Sequence, residues 1–309
     1  MFRSLQTEGL LARNCKSQCK SYRLLHWLRF DVPGEKVFVS VKLNPELIIG
    51  AVLGFVIIAL SLASFFWTPF DYNVMYHQKR FLPPGALHLL GTDNFGRDVF
   101  SRIMVGGRFT LLLALCTVAA SAAAGTILGL SAGYFGGVKG EIVMRIMDAL
   151  SSFPGIIIAL VMVAILDNSI FSLFIALFVL FTPGYTRVMR SGALQYKTSG
   201  FVLAQRVLGA GHFRIIFIHI LPNLLSPLLS ASVIGLSNAI LAEAAMSYLG
   251  LGIQPPNPSW GRMLSESQNF FFTAPWSALA PGIFIMLTVI AFHCLGEGLR
   301  RLGENHGVT

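Results

Sequence analysis

Long apolar stretches with at most one charged residue recur along this chain, and they limit what it can fold into. A helix needs about 20 apolar residues to cross the roughly 30 Å hydrocarbon core of a bilayer. Six stretches approach this length, at Leu47–Trp67, Phe109–Phe135, Ala149–Leu166, Asn168–Thr186, Pro222–Leu249 and Ala278–Gly296. The sequence therefore predicts an all-α polytopic membrane protein with six transmembrane helices.

The composition argues against other classes of protein. Of the 309 residues, 54% are hydrophobic and only 12% are charged, whereas soluble domains carry about 25% charged residues. This balance excludes intrinsic disorder and argues against a cytosolic enzyme. Two cysteines lie in the basic N-terminal segment and two in apolar stretches, so the sequence predicts no disulfide framework.

The positions of lysine and arginine predict the orientation. If the N-terminus is cytoplasmic, the segments 1–44, 134–146, 187–221 and 297–309 lie inside and hold 17 of the 23 Lys and Arg residues. Cytoplasmic segments of membrane proteins carry such an excess. Both termini are therefore predicted to be cytoplasmic, and the net charge of +9 is explained by membrane topology and lipid contact rather than by nucleic acid.

The predicted organisation has three parts. They are a basic cytoplasmic segment at 1–44, a six-helix membrane domain at 45–298 and a cytoplasmic tail at 299–309. The long loops of the membrane domain are predicted at about 68–106 and 250–277 outside the cytoplasm and at about 187–221 inside it.

The cytoplasmic loop contains a segment with a distinctive pattern. No acidic residue occurs between Ser169 and Ala242, and apolar residues at roughly helical spacing are interrupted by Gly209 and Gly211. This pattern predicts a short helix, a glycine turn and a second helix before Pro222. Two interpretations remain open: a helix that lies on lipid headgroups, or a helix that docks in a groove of a cytoplasmic partner.

The same segment resembles the coupling loop of ABC-importer permeases, which reads Glu-Ala-Ala, three residues, Gly, and then a Leu-Pro pair. Leu203-Ala204-Gln205 stands at the triplet, with Leu and Gln in place of the usual Glu and second Ala. The resemblance implies that the segment 197–215 contacts an ATPase. The residues assigned to this contact are Phe201, Leu203, Ala204, Gln205, Gly209, Ala210, Gly211, Leu221 and Pro222.

Two further blocks resemble permeases for dipeptides, oligopeptides and nickel. The segment 91–102 matches their GTDxxGRDxxSR block, and 247–261 matches the loop after their fifth span. The matching residues of the first block are Gly91, Thr92, Asp93, Gly96, Arg97, Asp98, Ser101 and Arg102. Two interpretations remain open: Thr92 or Asp93 caps a helix while Asp98 pairs with Arg102, or the block shapes the mouth beneath a substrate-binding protein.

The resemblance implies a type I ABC-importer permease fold and one half of a translocation pathway. Its implied partners are a paralogous permease in a heterodimer, two ATPase subunits carrying ATP and Mg, and an extracytoplasmic binding protein in a bacterial inner membrane. The chain lacks a GxxxxGK[ST] phosphate loop, so no bound cofactor of its own is predicted. The implied cargo is a short peptide, with nickel or a metal chelate as the alternative.

A serine inside a GxSxG pattern offers a different function. Ser131 fits a nucleophile elbow by sequence, but the strand, turn and later Asp and His partners of that motif are missing. Gly125, Gly129 and Gly133 recur every four residues, which instead predicts a close helix contact. An intramembrane serine hydrolase is the remote alternative, and a secondary transporter driven by an ion gradient is a third.

Ionisable residues near or inside the predicted spans are functional candidates, because burying a charge in a bilayer is costly. Asp148 could line the pathway or a helix interface, or simply pair with Arg145, and Glu243 could face the pathway or bond to a neighbouring helix. Asp93 and Asp98 lack a nucleophile nearby in the sequence, so no catalytic residue is predicted. The histidines and cysteines show no metal-ligand spacing, so no metal site is predicted.

Overall fold

The computed structural model describes residues 45–166 and 169–306. The basic segment at 1–44 and the last residues of the predicted tail lie outside this part of the chain. The described residues form helices α1 Pro45–Ala63, α2 Val99–Phe135, α3 Gly137–Ser152, α4 Gly155–Ile165, α5 Ile170–Lys197, α6 Gly200–Val207, α7 His212–Tyr248, α8 Trp260–Ser267 and α9 Pro275–His306. Short 3-10 turns occupy His77–Lys79 and Gln268–Phe270.

Five of these helices, α1, α2, α5, α7 and α9, are long and apolar enough to cross a membrane. The pair α3 and α4 meets the same criterion when it is counted as one element, although its two helices meet at 92°. A helix suits this environment because it satisfies its own backbone hydrogen bonds. The predicted all-α membrane fold is confirmed, with the sixth span present only as this bent pair.

The continuous third span predicted at Ala149–Leu166 is wrong. Helix α3 ends at Ser152 and α4 begins at Gly155. Pro154 causes the break, because a proline pushes the preceding residue out of the helical region. Phe153 accordingly has an extended backbone, with ψ 144°.

Four helices also extend well beyond their predicted ends, and one of them is α9, which continues to His306 instead of ending near Gly296. Helix α2 begins at Val99 instead of near Phe109, and α5 continues past Thr186 to Lys197. The prediction that Pro222 separates the cytoplasmic loop from the fifth span is wrong, because α7 begins at His212 and runs through the proline. A π-helical turn at Ile215–Ile220 precedes Pro222. This wider turn makes room for the ring, which in an α-helix would clash with the carbonyl four residues earlier.

Helices α2 and α5 form the most extensive helix–helix contact in the described bundle. An ideal Cβ on Gly129 would lie 2.5 Å from the Thr186 carbonyl oxygen, and one on Gly133 would lie 2.7 Å from the Ala193 Cβ. A Cβ on Gly125 would meet the Tyr185 side chain. The three glycines therefore let the two backbones approach more closely than any side chain would allow.

We expect Gly129→Ala to lower the melting temperature of the purified protein in detergent. The new methyl group must push α2 away from α5, and such overpacking costs about 1–3 kcal/mol. Gly184→Ala is the matched control, because a Cβ on this α5 glycine meets no atom within 4 Å. A melting temperature for Gly129→Ala equal to that of Gly184→Ala would contradict the proposed contact.

Candidate coupling segment and charged cap

Asp93 folds the GTD block into a tight turn. Its Oδ1 accepts hydrogen bonds from the backbone N–H groups of Phe95 (2.8 Å) and Arg97 (2.9 Å), and its Oδ2 accepts one from Arg97 Nε (2.6 Å). Gly96 has φ +75°, a conformation that side chains rarely adopt. Neither Asp93 nor Thr92 caps a helix. The oxygens of Asp93 accept the hydrogen bonds of this turn, and the Thr92 hydroxyl donates to the Lys79 carbonyl and accepts the Leu82 backbone N–H.

Asp98 is the residue that caps α2. Its Oδ2 accepts hydrogen bonds from the Ser101 backbone N–H (2.8 Å) and hydroxyl (2.7 Å), and its Oδ1 lies 2.9 Å from His88 Nδ1. The expected Asp98–Arg102 pair is therefore wrong. Both Asp98 oxygens are occupied by closer donors, and Arg102 Nη2 instead reaches Glu266 at 3.1 Å.

Glu266 of α8 joins the GTD block to the loop after α7. Its Oε2 accepts hydrogen bonds from Arg97 Nη2 (2.8 Å) and Arg102 Nη2 (3.1 Å), and its Oε1 accepts one from Arg262 Nε (3.2 Å). Burial by itself would raise the pKa of Glu266, but the guanidinium groups of Arg102 and Arg97 outweigh it and lower the pKa below its usual value. We call the residues Asp93, Arg97, Arg102, Arg262 and Glu266 the charged cap.

Two tryptophans fasten the charged cap to the helices. Trp260 is almost fully buried and its Nε1 donates to the Ile103 carbonyl at 3.0 Å. Trp276 Nε1 donates to the Thr92 carbonyl at 3.2 Å. Glu266 and Trp276, which the sequence interpretation missed, therefore complete this end of the bundle.

The segment 197–215, here called the coupling segment, contains the predicted helix, turn and second helix. Helix α6 ends at Val207, and Gly209 follows with φ +78°. An alanine at this φ would be strained, so glycine suits the turn. Val202 anchors α6 because it is completely buried among Met189 of α5 and Ile215 of α7.

The opposite side of the coupling segment presents apolar side chains to its surroundings. Val207 is 88% exposed, and Leu208 and Phe213 are each 78% exposed. Phe201, Leu203, Ala204, Gly209 and Gly211 are also exposed, while Gln205 and Ala210 are half-buried. Leu221 and Pro222 lie apart from this surface, inside α7.

The charged cap and the coupling segment lie at opposite ends of the bundle. Helix α2 begins at Val99, directly after its capping residue Asp98 beside the charged cap, and ends at Phe135 near the coupling segment. Helix α7 runs the other way, from His212 to Tyr248. The 37 residues of α2 correspond to a length of about 55 Å. Each predicted functional block thus occupies its own end of the protein.

Glu243 lies inside the described bundle near the end of α7. It is completely buried, and its Oε1 accepts a hydrogen bond from the Ser247 hydroxyl at 2.6 Å. Ser247 Oγ in turn accepts the Ile253 backbone N–H at 3.3 Å. Glu243 therefore bonds to Ser247 of its own helix, which steadies the loop that follows. Its carboxyl also faces the hydroxyls of Thr110 of α2 and Ser259.

Asp148 has a different partner from the one expected. Arg187 Nη2 of α5 lies 2.9 Å from Asp148 Oδ1, while Arg145 pairs with Glu141 at 2.7 Å. Glu141 stands one full helical turn before Arg145, whereas Asp148 faces α5. The predicted Arg145–Asp148 pair is therefore wrong, and Asp148 instead links α3 to α5.

The serine of the GxSxG pattern has an ordinary helical environment. Ser131 lies inside α2, and its hydroxyl donates to the Leu128 carbonyl at 2.9 Å. A nucleophile elbow needs a sharp turn between a strand and a helix, and the described residues contain no strand at this position. Within the same described residues, no group of three or more His, Cys, Asp or Glu side chains is arranged to hold a metal ion.

We expect Glu266→Gln to destabilise the protein most at neutral pH. The folded-state pKa of Glu266 is lowered, so its stabilisation is present above the unfolded pKa of about 4.3 and is lost as the pH falls through the folded pKa. Loss of its charged hydrogen bonds should cost about 1–3 kcal/mol at pH 7. Thermal unfolding at pH 7 and at acidic pH measures the difference, which should shrink as the pH falls.

Glu141→Gln is the control for the Glu266 measurement, because the Glu141–Arg145 pair is exposed. Exposed pairs contribute about 0–1 kcal/mol. Equal melting temperatures for the two variants at pH 7 would show that Glu266 in the charged cap contributes no more to stability than an exposed ion pair does.

Comparison with known proteins identifies the family. Residues 125–301 match the model of the binding-protein-dependent transport system inner membrane component. A dipeptide transport system permease protein of Alkalihalophilus pseudofirmus is 38% identical over 268 residues, which cover 87% of this chain and 88% of that protein. The corresponding dipeptide permease of Haemophilus influenzae is 36% identical and covers 87% of this chain and 93% of that protein.

A glutathione transport system permease protein of Pectobacterium atrosepticum is also similar, with 37% identity over 255 residues. The match covers 81% of this chain and 85% of that protein. These similarities extend over most of the chain, and the match to the family model includes the coupling segment. The chain therefore belongs to the family of binding-protein-dependent transport system inner membrane components.

Proposed function

We propose that this chain is a permease subunit of an ATP-driven importer of short peptides in a bacterial inner membrane. It forms half of the translocation pathway with a paralogous permease, and two separate ATPase subunits hydrolyse ATP with Mg. An extracytoplasmic binding protein delivers the peptide. The observation that carries this proposal is the coupling segment, which is anchored to the bundle on one side and presents apolar residues on the other.

The exposed face of the coupling segment favours a protein partner over lipid. Helices that lie on a membrane surface generally have a polar face rich in lysine and arginine. Helix α6 has only eight residues and one cation, Arg206, which lies over the Tyr134 ring at 5.1 Å. A short helix with exposed Val207 and Leu208 suits the groove of a partner protein.

The charges at the two ends support the proposed orientation. Of the 15 lysine and arginine residues that follow position 44, nine lie in the segments on the coupling-segment side, and segments with such an excess generally face the cytoplasm. The coupling segment would then face the compartment that contains ATP. The charged cap would face the opposite side, where a binding protein could dock on it.

The names of the relatives support a peptide cargo. The two dipeptide permeases and the glutathione permease are named for molecules with two or three residues. Neither the charged cap nor the coupling segment favours nickel or a metal chelate over such peptides as cargo. Uptake of radiolabelled di- and tripeptides by the reconstituted importer, compared with uptake of nickel, tests the cargo directly.

We expect Gly209→Glu to uncouple ATP hydrolysis from transport. The carboxylate would lie beside the apolar docking face, at a turn whose φ of +78° already disfavours a side chain. Gly209→Asn is the backbone control, because asparagine tolerates the left-handed region. Gly250→Glu is the charge control, because Gly250 has φ +82° at the other end of the bundle.

Co-purification of the ATPase subunits and peptide uptake per ATP hydrolysed are the measurements for these three variants. Gly209→Glu should lose the ATPase subunits or the uptake, while Gly209→Asn and Gly250→Glu keep the ATPase subunits bound. Normal uptake and normal ATPase binding by Gly209→Glu would refute the role of the coupling segment.

We expect single cysteines at the two ends to react from opposite sides of the membrane. In a cysteine-free background, Phe272→Cys, at a side chain that is 99% exposed, should react with an impermeant maleimide on intact spheroplasts. Val207→Cys should react only after permeabilisation and should cross-link to an ATPase subunit. Labelling of Val207→Cys from outside would overturn the proposed orientation.

A further inference from the structure

An aromatic cluster connects the end of α2 to the coupling segment. Tyr134 is 3% exposed, and its hydroxyl lies 2.9 Å from His212 Nδ1 at the start of α7. The two rings are 5.6 Å apart and meet edge to face. The adjacent Phe135 ring packs against the same histidine at 5.9 Å.

The same tyrosine also holds the last turn of α6. The Arg206 guanidinium carbon lies 5.1 Å from the centre of the Tyr134 ring, within the range of a cation–π contact. Tyr134 thus contacts α6 through its ring face and α7 through its hydroxyl. These contacts bracket the glycine turn at Gly209, where the two helices of the coupling segment meet.

The position of Tyr134 allows these contacts to transmit movement between the coupling segment and α2. Helix α2 is continuous from its capping residue Asp98 beside the charged cap to Phe135 beside the coupling segment. Its glycines allow it to pack closely against α5. Movement of α6 would reach α2 through Tyr134, and through α2 it would reach the cap. The Tyr134–His212 hydrogen bond joins the start of α7 to α2, whereas α6 is held by Arg206 against the Tyr134 ring and by the buried Val202.

We propose that Tyr134 and His212 form a latch that transmits movement of the coupling segment to α2. Tyr134 is a positioning residue: it touches neither cargo nor ATP and acts through the orientation of the coupling segment. This inference rests on the proposed function, because it assumes that an ATPase moves the coupling segment. It goes further by assigning the transmission to one hydrogen bond between two named side chains.

The test compares variants that remove or keep this hydrogen bond in the complete reconstituted importer. Tyr134→Phe keeps the ring and removes the hydroxyl, and His212→Leu removes the imidazole to which that hydroxyl is hydrogen-bonded. His212→Asn retains a side-chain polar atom near the position of Nδ1. Tyr196→Phe is the matched control, since the Tyr196 ring packs against Phe201 at 6.1 Å at the same end of the bundle.

The readout is the number of peptides imported per ATP hydrolysed. Tyr134→Phe and His212→Leu should each lower this ratio about fivefold, the factor that corresponds to one ordinary hydrogen bond. The double variant should be no worse than either single variant, because both changes remove the same interaction. In His212→Asn and Tyr196→Phe the ratio should stay within about twofold of the wild type, the factor that corresponds to the weakest ordinary hydrogen bonds.

A purely structural role gives a different result, because a loss of folded complex lowers uptake and ATP hydrolysis together and leaves their ratio unchanged. An unchanged ratio in Tyr134→Phe, or additive losses in the double variant, would overturn the latch. Cross-linking of Val207→Cys to an ATPase subunit separates the two hypotheses. If it forms in both wild type and Tyr134→Phe while the ratio is unchanged, only the latch is wrong; if it never forms, the proposed function is wrong.

Discussion

The close contact of α2 with α5 is the constraint on which the rest of the structure depends. Three glycines remove the side chains between the two helices, so that each backbone lies against the other. This contact fixes α2 along much of its length, and α2 carries Asp98 at one end and Tyr134 at the other. The charged cap and the coupling segment are therefore positioned by the same rigid pair of helices.

Features set by neighbouring residues could be predicted from the sequence. The apolar stretches predicted the spanning helices, the four-residue spacing of Gly125, Gly129 and Gly133 predicted a packing face, and Gly209 predicted the turn after α6. The ion pairs of Glu266 with Arg97 and Arg102 could not be predicted in this way. Glu266 lies far along the chain from Arg97 and Arg102, and only the folded bundle brings its carboxylate between them.

The prolines show why the helix boundaries were harder to predict. Pro154 separates α3 from α4, whereas α5 continues through Pro183 and α7 through Pro222. The intrinsic cost of a proline in a helix is similar at each position. Packing decides the outcome: α5 is held against α2 along its length, and the π-helical turn accommodates Pro222, so these two helices stay continuous.

The two ends of the bundle differ in how completely their interactions are satisfied. At the charged cap, carboxylates meet guanidinium groups and two indoles donate to backbone carbonyls, so the loops are closed on the helices. At the coupling segment, Val202 is buried but Val207, Leu208 and Phe213 are left without cover from the described residues. Burying each such side chain would contribute about 1.5–3 kcal/mol. An ATPase that covered them would therefore bind α6 tightly. The contacts of Tyr134 would then connect the bound α6 to the membrane domain.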